Sequence, residues 1–383
     1  MAAITPLDHG VTVIELVEGP RVIRTVATSI IGMVAVADNA DEAVFPLNTP
    51  TRLTDLPAAI EKAGDGGTLA RALSAIDKQA NTIVVVVRVA EGLGETPEEI
   101  ELETRTNVIA GVNKLLLAEQ ICKVRPRILV APGLDSQSVT VALGAVAAKL
   151  NAMAYCSCGD ATTIEEAIAL RDGVSGREIC LIYGDFLDGD EIVYATAVAA
   201  GHRALLDQTV GFHKTLSNVP VKGVTGVASP VTWDQQRSDT EAGLLNGARI
   251  TVLIEDEGLK FWGNRTCSPE PRFEFESAVR TAQVLRDTIA FGLKWAIDKE
   301  LYPSLAIDVI ETINTKLDEL RDSGRLIGGR ARLADDNTTT SLGGGTLKVV
   351  YDFTPVPPLE HLQLIQVITD EYFFDFAATV AAG

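Results

Sequence analysis

From Thr82 to Leu206 this chain alternates short Val/Ile-rich runs with helix-period segments, and that alternation limits the fold more than any other feature. Thr82 to Val89 is a near-continuous β-branched run, the pattern of a strand buried on both faces. Thr106 to Gln120 reads as helix, and Arg127 to Ala131 as a buried strand ending at Pro132-Gly133. Ser136 to Leu150 is a helix opened by Asp135 or Ser136 as cap. Met153 to Cys156 and Glu178 to Tyr183 read as strands. Thr162 to Arg171 and Ala195 to Leu206 read as helices, the first with Thr162 or Thr163 at its start. Strand and helix in turn predict an α/β domain with a mostly parallel sheet and helices on both faces. Upstream, Val22 to Ala37 reads as a strand pair or one long strand, and Arg52 to Thr54 as a short strand. Thr68 to Gln79 has helical spacing through Leu69, Leu73 and Ile76. We place this outer domain at residues 21–257, with an inserted or peripheral subdomain before residue 80 as an option.

The rest of the chain changes character. Phe273 to Leu301 is a long helix on Phe275, Val279, Ala282, Ile289 and Leu293, interrupted by Pro303. Leu305 to Asp322 is a second helix, closed by Ser323-Gly324. Leu347 to Phe353 alternates cleanly, with Leu347, Val349, Tyr351 and Phe353 on one face. Residues 258–358 are therefore an α+β unit whose small sheet is short of strands, and two or three strands alone are marginal.

Both ends look like strands with no partner nearby in sequence. The front arm, residues 1–20, carries Gly10 to Leu16 and closes on Glu18-Gly19-Pro20. The rear arm, residues 359–383, carries Glu360 to Thr369, held off by Thr354-Pro355-Val356-Pro357-Pro358. Ends are usually frayed and polar unless something ties them down. Apolar β-branched ends on Gly/Pro hinges suit docking into another copy of the same protein. The other reading is that both strands edge the chain's own sheet, and spacing alone leaves the two open.

Composition narrows the function classes. A chain of 383 residues exceeds what one core usually holds. Hydrophobic content of 46% argues against disorder. A net charge of -19 with no basic stripe repels phosphate backbones, so no nucleic acid is expected as a partner. The longest apolar runs are strand-sized, so no membrane insertion is expected. Met1 to Pro6 has neither a basic n-region nor an apolar h-region, so export by a signal peptide is not expected. Five cysteines in so long a chain make no disulfide framework, and Cys156-Ser157-Cys158 is tighter than a C-x-x-C site. Cys122, Cys180 and Cys267 read as small core residues.

Motifs for chemistry are missing. There is no Walker loop, no G-x-S-x-G elbow and no H-E-x-x-H. Gly64-Asp65-Gly66-Gly67 lacks a following Lys and reads as a loop. Gly328-Gly329-Arg330 and Gly343-Gly344-Gly345 read as loop glycines, the second in a solvated, mobile stretch. None of the four histidines sits in a local ligand pair. His202 reads as a surface or satisfied residue and His213 as a loop residue. Glu165-Glu166 and Asp188-Gly189-Asp190-Glu191 read as solvated turns. No catalytic residue, metal ligand or cofactor is expected, and the chain is not expected to be an enzyme. The competing class is a doubly wound α/β nucleotide-binding protein or enzyme built on residues 80–210, a fold that hosts such sites at its strand ends.

Three stretches carry a family resemblance. They are His9 to Glu15 through Ile23-Arg24-Thr25-Val26 to Gly32, then Phe261 to Cys267 with Phe273-Glu274-Phe275 and Val279 to Gln283, and the tail Leu359 to Ile368 with Thr369 to Phe373. Together they resemble the contractile tail sheath proteins of P2-like bacteriophages and the related R-type pyocins, along the whole chain and most strongly at residues 1–35 and 258–383. The resemblance implies a structural subunit that stacks as hexameric rings in a helical array around an inner tail tube protein. It implies contacts with baseplate and tail terminator proteins, and contraction that drives the tube through the target envelope. Assembly would take place in the host bacterial cytoplasm, and the subunit would end in the virion tail or a pyocin-like particle. It implies that terminal arms complete a neighbour's C-terminal sheet. Val11, Val13, Ile14 and Leu16 would add to that sheet, and Leu362, Leu364, Ile365 and Val367 would pair in it. Gly19 would absorb the dihedral change at the hinge, while Pro20, Pro355, Pro357 and Pro358 fix each arm's exit. Which C-terminal segment crosses, 360–369 or Tyr372 onward, stays open.

Overall fold

The structure is a computed structural model that describes residues 23–373 and 376–382. Its strands are β1 (Ile31–Val36), β2 (Thr51–Leu53), β3 (Val84–Val89), β4 (Ile128–Val130), β5 (Met153–Ser157) and β6 (Ile179–Ile182). After them come β7 (Phe186–Asp188), β8 (Glu191–Val193), β9 (Gly226–Val227), β10 (Ile250–Glu255), β11 (Leu259–Trp262), β12 (Leu326–Leu333) and β13 (Val349–Pro355). The helices of the first half are α1 (Leu56–Ile60), α2 (Leu69–Asp77), α3 (Pro97–Lys114), α4 (Ala118–Cys122), α5 (Gln137–Leu150), α6 (Ile164–Asp172), α7 (Ala195–Thr209) and α8 (Glu241–Gly247). Those of the second half are α9 (Glu276–Gly292), α10 (Pro303–Asp322), α11 (Thr339–Gly343) and α12 (Phe376–Ala382).

Eight strands form one sheet in the order β11-β10-β6-β5-β4-β1-β3-β2. The six inner strands are parallel, and β2 and β11 close the two edges antiparallel. Every residue of β1 and β3 is buried, as a strand covered on both faces requires. Helices α2 and α7 cover one face and α3, α5 and α8 the other, giving two cores. The start signals are local. Ser136 accepts the Val139 N–H, and Thr163 forms a capping box with Glu166. A three-stranded ribbon, β8-β7-β9, stands beside this sheet, its Asp188–Glu191 turn passing through Gly189 at φ 63°.

Several expectations shift. Of the run expected over Val22 to Ala37, the described residues form a strand over Ile31–Val36, β1, which lies between β4 and β3 in the main sheet, and β2 joins the same sheet at its edge. The helix expected from Thr106 starts nine residues earlier, at Pro97, because Thr96 and Glu99 form a capping box and proline suits the first turn. The long helix expected over 273–301 is confined to Glu276–Gly292 with a 3₁₀ turn at Lys294–Ala296. The domain division at 257/258 falls in the turn of the β10–β11 hairpin, so the large sheet runs on to Trp262. Gly328, Gly329 and Arg330 lie within β12, and Gly343 ends α11. His202 is buried, not at the surface, because α7 runs through the core on small alanines. Burial beside Arg203 lowers its pKa to about 4, so the ring is neutral.

The C-terminal unit pairs β12 with β13 antiparallel, from Leu326↔Pro355 to Leu333↔Val349, with a bulge between Leu326 and Gly328. A Cβ on Gly329 would sit 2.8 Å from the Asp352 carbonyl oxygen, so only glycine allows this approach. Helix α10 packs behind the ribbon on Ile313, Leu317 and Leu320, and α9 adds Leu285 and Ile289. The opposite face of α9 carries Glu276, Arg280, Gln283 and Asp287, a helical spacing that places them in one row. That row meets the α/β domain. Asp207 pairs with Arg203 at 2.9 Å and with Arg280, and Tyr155 Oη donates to Glu276. Asp287 pairs with Arg127 and accepts Asn151 Nδ2–H at 2.7 Å, and Gln283 donates to the Ala152 carbonyl at 2.9 Å. One helix is thus apolar toward one domain and ionic toward the other.

Candidate assembly surface

A two-stranded ribbon leaves a row of backbone N–H and C=O groups on each outer edge. β12 and β13 have no further strand neighbour among the described residues. Val349, Tyr351 and Phe353 pack against the C-terminal core, while Val350 and Asp352 face outward. The expected alternation of this strand is present, and so is the shortage of strands around it.

Beyond β13 the chain from Val356 to Thr369 forms neither helix nor strand and joins no sheet. The strand expected at 360–369 is absent from the isolated subunit, since a strand exists only with a ladder partner and the segment reaches no edge of its own chain. Its side chains are bare. Leu362 is 65% exposed, Leu364 82%, Ile365 84% and Val367 73%. Contiguous apolar exposure on this scale marks an interaction surface. Burying each such side chain is worth about 1.5–3 kcal/mol. Pro355, expected as a hinge, is the last residue of β13 and pairs with Leu326, so the free stem begins at Val356. Pro357 and Pro358 lie in that stem, over a cleft of about 370 Å³ that His213, Trp262 and Asn264 also line. Directly after it, the Glu360 carboxylate accepts two hydrogen bonds from the Arg265 guanidinium, at 2.8 and 2.5 Å.

At the other end, Val11, Val13, Ile14, Leu16, Gly19 and Pro20 lie outside the described residues. The described chain begins at Ile23, which is buried, and a Cβ on Gly292 at the end of α9 would meet the Ile23 side chain. Three residues on, the Val26 N–H donates to Thr288 Oγ1 at 3.3 Å. The chain therefore enters and leaves through the same C-terminal unit. Ile23, Gly292, Arg265 and Glu360 escape a reading of the sequence alone, because each pairing joins residues far apart in the chain and neither has a local motif.

The carboxyl ends of the parallel strands, where a doubly wound fold holds its ligands, are lined differently. A cleft there is bordered by Glu91, Glu101, Asp135, Asp160 and Asp185, with Arg105 as the basic side chain among them. Burial and the Asp185 carboxylate push the Asp135 carboxyl well above its ordinary range, with the Ser157 backbone and the Thr196 hydroxyl opposing. Such a surface repels phosphate. Gly64 to Gly67 folds against Asn39 and the Val36 carbonyl as a plain loop. The cysteines, including Cys156 and Cys158, are free and buried. Among the described residues no cluster of three or more His, Cys, Asp or Glu is arranged to hold a metal, and no helix is long and apolar enough to cross a membrane.

Comparison with known proteins converges on one architecture. Residues 107–267 match the phage tail sheath protein central domain, residues 268–369 the phage tail sheath C-terminal domain, and residues 28–89 the tail sheath protein Gp18 domain III N-terminal region. The chain is 45% identical to the tail sheath protein of Escherichia phage P2, over 97% of this chain and 98% of that protein. It is 40% identical to the major tail sheath protein of Serratia phage KSP20, over 95% of this chain and 96% of that protein. Among solved structures, the sheath complex of the PVC extracellular contractile injection system in its contracted state superposes with a TM-score of 0.72 at 16% identity, covering 97% of this chain and 100% of that one. The contracted helical sheath of the anti-feeding prophage gives 0.70 at 19% identity, over 94% and 98% of the two chains.

Proposed function

The chain belongs to the phage tail sheath protein family and is a structural subunit of a contractile sheath, and we propose that its copies join by lending their ends to one another. The observation that carries this is the bare, largely apolar segment Leu362 to Ile368 together with a two-stranded ribbon that has no third strand among the described residues. Each supplies what the other lacks. A strand laid along β12 or β13 of a neighbour would gain about five backbone hydrogen bonds at about 1 kcal/mol net each, together with the apolar burial. The front segment with Val11, Val13, Ile14 and Leu16 would serve in the same composite sheet, since the chain from Ile23 is rooted on that unit.

The resulting contact is head-to-tail, so it propagates along a helix instead of closing on itself beyond each ring. Contraction would then release energy as subunits rotate and bury more surface, with the exchanged strands as tethers. Gly19 and the stem from Val356 are the places for the tether to bend. The inner tail tube, the baseplate and the tail terminator are the partners this role calls for. Assembly would occur in the host cytoplasm.

Removing residues 1–18 tests the exchange. The expected product is a soluble, folded subunit that forms no tubes by electron microscopy. Normal tubes from that truncation would remove the model. Val13→Pro, which deletes a ladder donor, should weaken polymerisation while leaving the monomer's circular dichroism unchanged. Loss of fold would place the strand in its own subunit.

A further inference from the structure

We propose that Arg265 is a positioning residue for sheath assembly. By gripping Glu360 it aims the C-terminal strand before a neighbour meets it. The proposal rests on the exchange described above and adds which residue prepares the strand for it.

The stem is held at two points. Its start is fixed because Pro355 is laddered to Leu326, and five residues later Glu360 is fixed by the paired contact from Arg265. Pro357 and Pro358 between them restrict the backbone, so the span has few conformations left. Past Glu360 the grip ends, and Leu362 to Ile368 project into solvent. Fixing a stem in advance lowers the entropy lost when the strand docks, the general route by which preorganisation raises affinity. The grip itself is well built. The guanidinium also pairs with Glu274 and lies over the Phe275 ring, 5.5 Å from its centroid. Arg265 is thus fixed on the body whether or not the tail is present. A planar fork facing a carboxylate is the geometry that sets direction as well as distance.

Both side chains are about one third exposed, 32% and 35%, so the pair is weak enough to yield to salt and carries little of the fold. The grip therefore belongs to assembly, and its removal leaves the subunit intact.

The test uses the full chain with Glu360→Gln, with Arg265→Glu, and with Arg265→Glu combined with Glu360→Arg. First, limited proteolysis and hydrogen exchange follow residues 356–369 in the unassembled subunit. Glu360→Gln should speed cleavage and exchange there, with the melting temperature unchanged. Second, the threshold concentration for tube formation is measured across salt. Glu360→Gln should raise it about fivefold at low salt, as loss of about 1 kcal/mol predicts, and the difference should shrink as salt increases. The charge reversal should recover assembly beyond Arg265→Glu alone. A lower threshold for Glu360→Gln would mean that the pair restrains the tail from docking, and would overturn the proposal. An unchanged tail in the first assay would overturn it too, whatever the tubes do. A loosened tail with an unchanged threshold would show that the pair holds the tail without serving assembly. Absence of tubes from the parent chain under every condition would count against the exchange reading, while the first assay still decides whether the grip exists.

Discussion

The eight-stranded and the two-stranded sheet of this molecule differ at their edges. The large one is parallel inside, clothed by helices on both faces and ends on the antiparallel strands β2 and β11, and the outer side of β11 is covered by residues 218–221, whose Asn218 and Val221 N–H groups donate to the Phe261 and Leu259 carbonyls at 2.9 Å. The small one has two strands, helical cover on one face and no third strand among the described residues, and on the outer side of β12 the Asn314 side chain already meets the Ala331 N–H and carbonyl, at 2.7 and 3.2 Å. A protein that must stay monomeric blunts its edges, whereas one that polymerises keeps an edge available. On the proposed exchange, that difference separates a domain built within one chain from a unit with room for a strand from another.

Deleting residues 359–383 should abolish tube formation outright while leaving the α/β domain's cooperative unfolding in place, as read by electron microscopy and urea titration. Tubes from that variant would erase the contrast between the sheets. Next in size is the joint between them. Arg203→Met strips a counterion from buried Asp207 and Glu276 and should cost about 3–5 kcal/mol in chemical denaturation. A loss under 1 kcal/mol would mean that the ionic row along α9 is not what couples the domains. Gly329→Val drives side-chain atoms into the Asp352 carbonyl and should cost about 1–3 kcal/mol. Hydrogen exchange should show that loss in β12 and β13 and leave β1 and β3 protected. Uniform loss would make the two sheets one cooperative unit.

The smallest effect is electrostatic and belongs to the large sheet alone. Asp135 has its pKa raised on folding, so the native state holds its proton more tightly than the unfolded chain. That contribution is complete below the ordinary carboxylate range and fades as pH climbs through the raised native value. Asp135→Asn should therefore unfold at a higher temperature than the parent at pH 8 and gain nothing at pH 4. Equal pH profiles would show that the carboxyl is already solvated in the native cleft.

Legibility in the sequence follows the same division. The parallel sheet could be read because Ile83 to Val87 and Ile128 to Ala131 are unbroken apolar runs, a signature independent of partners. Helix starts were legible where a cap was weighed, as at Ser136 and Thr163, and misplaced where Thr96-Pro97-Glu98-Glu99 went unread. β12 was hidden because two adjacent glycines look like a loop until the Asp352 carbonyl is seen against Gly329. The tail was legible as an apolar, β-branched strand-like run, but not as a segment without a ladder in its own chain, because pairing is a property of two segments. Arg265 and Glu360, 95 positions apart, could not be joined by any local rule.

The thiols have a consequence for durability. Burial raises the pKa of Cys158 to about 12 and that of Cys267 to about 11, and all five sulfurs are shut away from solvent. Oxidants attack thiolates within reach, and here there are none to find. Copies of this subunit packed side by side therefore offer one another no reactive thiolate through which to cross-link.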